Sequence, residues 1–166
     1  VTTCKDGCLP MPVVGQNFTA HVNVTVQNQG NYIETFQVTA YANLTVIGTT
    51  TVTNLAPGAQ TIVNFLWNTT GLAKGNYTIW AYAWPVLGET DFTDNTFVDG
   101  VVKVGIPGDI NCDGTVDIYD AILMSKTFGK EEGEEGYNPN ADINDDHIVD
   151  IYDAILLSKY FGKSDP

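Results

Sequence analysis

The 166-residue chain contains no arginine, and its seven basic residues, all lysines, face twenty acids for a net charge of −13. Nucleic-acid binding needs clustered Lys or Arg to replace phosphate counterions, so this composition excludes it, and anionic membrane surfaces with it. No apolar run reaches the 18 or so residues that a bilayer-crossing helix requires. Histidine is reduced to His21 and His147 and cysteine to Cys4, Cys8 and Cys112, too scattered for a four-ligand zinc set. Also absent are a paired His and nucleophile, a glycine-rich phosphate loop and an acid pair not better explained by turns. The expectation is a non-catalytic protein.

Cys4 and Cys8 form C-x3-C beside Gly7. In an oxidising compartment this reads as a small disulfide loop stapling the N-terminus, two free thiols being the alternative. Five N-x-T sequons, at Asn17, Asn23, Asn43, Asn68 and Asn76, fall in the first half, and none follows Asp109. Together they favour a glycosylated extracellular or cell-surface protein. A first residue other than Met fits a processed chain or a fragment.

Charge is unevenly distributed. Fourteen acids against four lysines lie from Asp109 onward, a local charge of −10, while the preceding part carries −3. A chain of this length accommodates two small domains, and the step in charge places their boundary. The expected division is an N-terminal segment over 1–12, a β-domain over 13–105 and a cation-seeking domain over 106–166.

From Gln16 to Val104 apolar and polar residues alternate with period two, as in half-buried antiparallel strands. Phe18, Ala20, Val22, Val24 and Val26 share one face. Thr19, His21, Asn23, Thr25 and Gln27 share the other. Further strands are predicted at Tyr32–Ile47, Thr49–Asn54, Ala59–Trp67, Asn76–Trp84 and Thr96–Val104, separated by turn signals such as Ala56-Pro57-Gly58. The expected fold is mainly β with a small α part, beginning with an antiparallel sandwich. The cluster Glu89, Asp91 and Asp94 reads as a solvated turn tip, with a cation site as the less favoured alternative. The stretches V-T-V-Q-N-Q-G-N, L-A-P-G, F-L-W-N, G-N-Y-T-I-W-A-Y-A and G-E-T-D-F-T-D-N-T together resemble the CARDB family, the Ig-like adhesion-related domains of prokaryotic surface proteins. The resemblance covers roughly Val13 to Val104 and suggests an archaeal type of extracellular protein.

The segment Gly108–Lys130 recurs 33 positions later as Ala141–Lys163, with seventeen of twenty-three positions identical. Each copy carries oxygen side chains at loop positions 1, 3, 5, 9 and 12. In the first these are Asp109, Asn111, Asp113, Asp117 and Asp120, and in the second Asp142, Asn144, Asp146, Asp150 and Asp153. That spacing is the calcium loop of an EF-hand, in which a backbone carbonyl at position 7, here Thr115 or Ile148, completes the shell. A polar loop before a helix supplies one such match by chance, but hardly two in register, so two calcium ions are expected. Position 12 is Asp rather than Glu, which requires a tighter loop. Position 6 is Gly114 in the first copy but His147 in the second, where the turn asks for positive φ. On that ground the second loop is expected to be the weaker.

Each loop leads into a short amphipathic helix, Tyr119–Phe128 and Tyr152–Phe161, ended by Gly129 and Gly162. Ala121, Met124 and Phe128, with Ala154, Leu157 and Phe161, are expected to form the core between the copies. No helix can enter the first loop through Val104-Gly105-Ile106-Pro107-Gly108. Duplicated loop-plus-exit-helix units with Asp at position 12 resemble dockerins, the calcium-dependent modules that plug onto cohesin domains of extracellular assemblies, over Gly108 to Gly162. The resemblance implies partner contacts from loop positions 10 and 11 and the helix ends: Ile118, Tyr119, Lys126, Ile151, Tyr152 and Lys159. Local packing of the Ile-Tyr pairs is the alternative. Glu131–Asn140 reads as a solvated acidic connection.

Two binding functions follow. In one the dockerin-like end captures a neighbouring copy and builds a head-to-tail surface filament. In the other the chain is the anchoring part of a larger surface protein or hydrolase and captures a cohesin-like domain.

Overall fold

The computed structural model describes residues 12–165, so the proposed Cys4–Cys8 loop lies outside the described residues. In chain order the elements are β1 (Val13–Gly15), β2 (Thr19–Gln27), β3 (Glu34–Ala42), β4 (Thr45–Leu55), β5 (Gln60–Asn68), β6 (Gly75–Ala83), β7 (Thr96–Gly105), α1 (Ile118–Thr127) and α2 (Ile151–Tyr160). They form two compact units, one of His21–Trp67 and Thr78–Gly100, the other of 12–20, Asn68–Tyr77 and 101–165.

The first unit is a two-layer β-sandwich. One layer has neighbour order β7-β6-β3-β4 and the other is the pair β2-β5. On β2 and β5 every second residue is buried or half-buried, and the buried apolar residues are Val22, Val24, Val63, Phe65 and Trp67 in this layer and Val38, Ala40, Ala42, Val52, Ile79 and Ala81 in the other. Strand β3 pairs antiparallel with both neighbours, Ala40 facing Gly48 on β4 and Ala81 on β6.

The predicted single strand Tyr32–Ile47 is instead split by a turn at Asn43-Leu44. Asn43 takes positive φ (53°), a conformation Asn tolerates, and β6 holds it there. Its side-chain oxygen accepts from Thr78 N at 2.8 Å and its carbonyl from Trp80 Nε1 at 2.7 Å. Strand β4 then runs unbroken through Gly48, where the sequence suggested a gap. A Cβ at Gly48 would stand 3.0 Å from the Phe65 ring, so this glycine serves close approach between layers rather than a turn.

In the second unit β1 pairs in parallel with the end of β7, Val13 with Lys103 and Gly15 with Gly105. The core joins Ile106, Ile110, Val116, Met124, Ala141, Ile143, Val149 and Leu157. Six of these are three equivalent pairs 33 residues apart, which makes the duplication a single shared core. Helices α1 and α2 each begin and end one residue before the predicted bounds. Phe128 and Phe161 leave helical geometry with ψ 131°, and Gly129 and Gly162 follow at φ 79° and 78°. Both phenylalanines are half exposed, so the core stripe ends at Met124 and Leu157 and does not include them.

Candidate metal loops and docking face

The two loop-helix copies hold each other reciprocally. After α1 the chain pairs with the second loop: Gly129 N donates to Val149 O at 2.7 Å, Val149 N to Lys130 O at 2.9 Å and Glu132 N to His147 O at 2.8 Å. After α2 it pairs with the first loop through the equivalent bonds, Gly162 N to Val116 O, Val116 N to Lys163 O and Asp165 N to Gly114 O, at 2.7, 2.9 and 2.7 Å. Each loop therefore takes its outer backbone partners from the segment that follows the other copy's helix.

Within a loop, positions 9 and 12 also start the helix. Asp117 is the N-cap of α1 and accepts from Tyr119 N at 2.8 Å, while Asp120 reaches back to Asp117 N at 2.8 Å, completing a capping box. The other Asp120 oxygen accepts from Ile110 N and Asn111 N at 2.8 and 3.1 Å. Asp150 and Asp153 repeat the arrangement, Asp153 accepting from Ile143, Asn144 and Asp150. Both position-12 acids are fully buried, and burial lifts their pKa values against the pull of these backbone bonds. A carboxylate oxygen has room for more than one partner, so these bonds aim the acids inward without exhausting them.

The donor set fits a hard cation. Asp109 Oδ1 is buried without a hydrogen-bond partner, while its Oδ2 accepts from Gly114 N at 3.0 Å. A buried carboxylate oxygen without a partner is costly unless a positive charge meets it. In the second loop the oxygens of Asp142, Asp146 and Asp153 lie within 4.8 Å of one another. Positions 4 and 6 both take positive φ, Cys112 66° and Gly114 90° in one loop, Asp145 60° and His147 73° in the other. This curls the chain around a common point. Asn111 and Asp113, like Asn144 and Asp146, are linked by amide-to-carboxylate bonds of 2.8 Å.

Four contributors at these loops were not legible beforehand. Lys103 Nζ donates to Asp109 Oδ2 at 2.9 Å and to the Cys112 carbonyl at 3.2 Å, and stands 3.7 Å from Asp165. Burial works against its charge, but the bond to Asp109 and the field of Asp109 and Asp165 outweigh it and raise its pKa. At the corresponding place in the second loop Tyr137 donates its hydroxyl to Asp142 Oδ2 at 2.7 Å, and burial followed by that bond raises the phenol pKa. His147 Nδ1 lies 3.0 Å from Glu132 Oε2. Asp165, equivalent in position to Glu132, pairs instead with Lys74 at 2.8 Å. The Glu131–Asn140 segment is therefore not only a solvated connection, since it supplies both Tyr137 and Glu132. All four residues lie outside the repeated segments, so no internal repetition marked them.

The remaining candidates are on the surface. Ile118 and Ile151 are each 57% exposed and Tyr119 and Tyr152 each 63%, with Lys126 and Lys159 exposed at the helix ends. The five sequon asparagines are all exposed. Glu89, Asp91 and Asp94 do not converge. They accept from Val86 N, from Thr93 and from Gln29 respectively.

Residues 7–98, more than half of the chain, match the CARDB family model, and residues 107–162 match the dockerin type I domain. Among solved structures the chain is similar to a cell surface protein domain of Methanosarcina acetivorans, at 29% identity, TM-score 0.46, covering 55% of this chain and 82% of that one. It is also similar to the CARDB domain of a Pyrococcus furiosus protein in complex with di-metal ions, at 27% identity, TM-score 0.43, covering 57% and 81%. A type II cohesin-X-dockerin complex of Acetivibrio cellulolyticus matches at 15% identity and TM-score 0.31, covering 86% and 96%. None of the curated proteins matches.

Proposed function

Because the chain belongs to the CARDB family and closes with a dockerin type I domain, we propose that it is a non-catalytic extracellular or cell-surface protein that captures a cohesin-like domain through its calcium-loaded C-terminal module. The reading assigns 1–12 to an N-terminal segment, 13–105 to the adhesion-type sandwich, with glycans on its exposed sequons, and 106–166 to docking. Two calcium ions, one per loop, are held by Asp109, Asn111, Asp113, Thr115 O, Asp117 and Asp120, and by Asp142, Asn144, Asp146, Ile148 O, Asp150 and Asp153.

The observation that carries the reading is the matched exposure of the Ile-Tyr pairs immediately after the helix-capping acids. Positions 9 and 12 point their carboxylates inward, and the helical turn between them leaves 10 and 11 outside. Large Ile and Tyr side chains left bare in duplicate favour a covering partner, and Tyr suits the centre of such an interface. Lys126 and Lys159, exposed in the last turns of the same helices, would add charge to an otherwise apolar contact.

Calorimetry of the full chain against a purified cohesin domain, in calcium and in chelator, tests this. Binding should appear only with calcium. Tyr119→Ala and Tyr152→Ala should weaken it unequally, one by about 2 kcal/mol or more, because a pseudo-twofold module presents one copy at a time. Equal wild-type binding by both variants would place the docking face elsewhere. Sedimentation of the chain alone in calcium separates this from capture of a neighbouring copy, which would give growing filaments without added partner.

A further inference from the structure

The two loops differ most where their first ligand is held from behind. Asp109 and Asp142 each accept on Oδ2 the backbone N–H of position 6, Gly114 at 3.0 Å or His147 at 2.9 Å. The second donor is a neutral phenol in one loop, Tyr137, and a full positive charge in the other, Lys103. Lys103 is well anchored there, because the Cys112 carbonyl accepts from it and Asp165 lies nearby.

We infer that Lys103 sets the order in which the loops fill, acting as a tethered cation that raises the calcium concentration the first loop requires. The inference rests on the calcium reading of both loops. With no ion present the ammonium neutralises part of the Asp109 charge and lets the first loop remain assembled. An arriving divalent cation on Oδ1 then shares one carboxylate with a fixed positive charge, a repulsion the second loop does not contain. Donors behind a metal ligand can also help by orienting it, so the two effects compete. Orientation is secured without the lysine, since Gly114 N holds the same oxygen, and Tyr137 shows that a neutral donor serves at the equivalent place. Charge therefore decides the sign. The second loop fills first, opposite to the order that Gly114 and His147 alone imply.

The position-6 amides report on each loop separately, since each is bonded to its own first ligand. Calcium is titrated into chelator-treated, 15N-labelled full chain while the Gly114 and His147 amide signals are followed by NMR. In the wild type His147 should saturate at a calcium concentration lower by on the order of tenfold than Gly114. K103M, which keeps most of the apolar stem, should move the Gly114 midpoint down by a similar factor and leave His147 within about twofold; K103Q should do the same, and K103R should match the wild type. A Gly114 midpoint unmoved or raised in both neutral variants overturns the inference, as does loss of the Gly114 signal in both, which would make Lys103 a holdfast of the loop. Silence of both amides in the wild type would instead sink the calcium reading itself, and this inference with it.

Discussion

The two loops share their inner acids but are supported from behind by different chemistry. Asp120 and Asp153 meet the same three backbone amides at nearly the same distances. By contrast the first loop leans on Lys103 and the second on Tyr137, with Glu132 bracing His147. The inner acids are held by the fold of the repeat, whereas the side chains that contact the loops from behind come from neighbouring segments free to differ. Metal affinity depends on both layers, so two loops of near-identical sequence need not bind alike.

Breaking what the loops share should have the largest effect. Replacing Asp120 by Ala strands the N–H groups of Ile110, Asn111 and Asp117 and removes half of the α1 capping box. A cost of about 3 kcal/mol to the calcium-loaded module is expected from the stranded donors and the lost cap. Asp153→Ala should cost a similar amount, because its partners are equivalent. Thermal melts of both variants in calcium check this. A difference between them well above 1 kcal/mol would show that the shared interior is not energetically shared.

Tyr137→Phe tests what is not shared, with an effect of about 1.5–2 kcal/mol on stability from one lost hydrogen bond to a carboxylate. Calcium at the second loop should weaken by up to about tenfold, since an orienting donor is lost and no charge is relieved. The sign is thus opposite to that of neutralising Lys103, although each residue donates to the equivalent carboxylate oxygen, Oδ2 of the first acid in its own loop. Loop-resolved titration would collapse the comparison if both changes moved affinity in one direction.

How far the sequence alone reached follows from where information sat. The alternation of β2 and the burial of Val22 and Val24 followed from period two, and the loops followed from fixed spacing repeated in register. The split at Asn43 was hidden because its cause, bonds to Thr78 and Trp80, lies thirty-five or more residues away. Phe128 and Phe161 continue the helical apolar stripe in sequence, yet the glycine that follows each turns the chain out of the helix and leaves them half exposed. Lys103 and Tyr137 lie outside the duplicated segments, and nothing in their spacing from Asp109 and Asp142 distinguishes them from any Lys or Tyr near a charged loop.

The smallest expected effect concerns His147, whose positive φ of 73° marks it as the strained member of the pair. Replacement by Gly relieves backbone strain of about 1 kcal/mol, which taken alone would strengthen the second loop. Two terms oppose it. Glycine loses more conformational freedom on folding, about 0.5–1 kcal/mol. The contact to Glu132 is lost too, worth only a few tenths of a kcal/mol because both side chains are more than half exposed. These terms nearly cancel, so His147→Gly should shift stability by less than about 0.5 kcal/mol in either direction. The strain argument and the bracing argument separate in a double-mutant cycle with Glu132→Gln: if bracing matters, the change at Glu132 costs stability only while His147 is present. A Glu132→Gln effect equal in both backgrounds would reduce the contact to coincidence and leave strain as the only distinction at position 6.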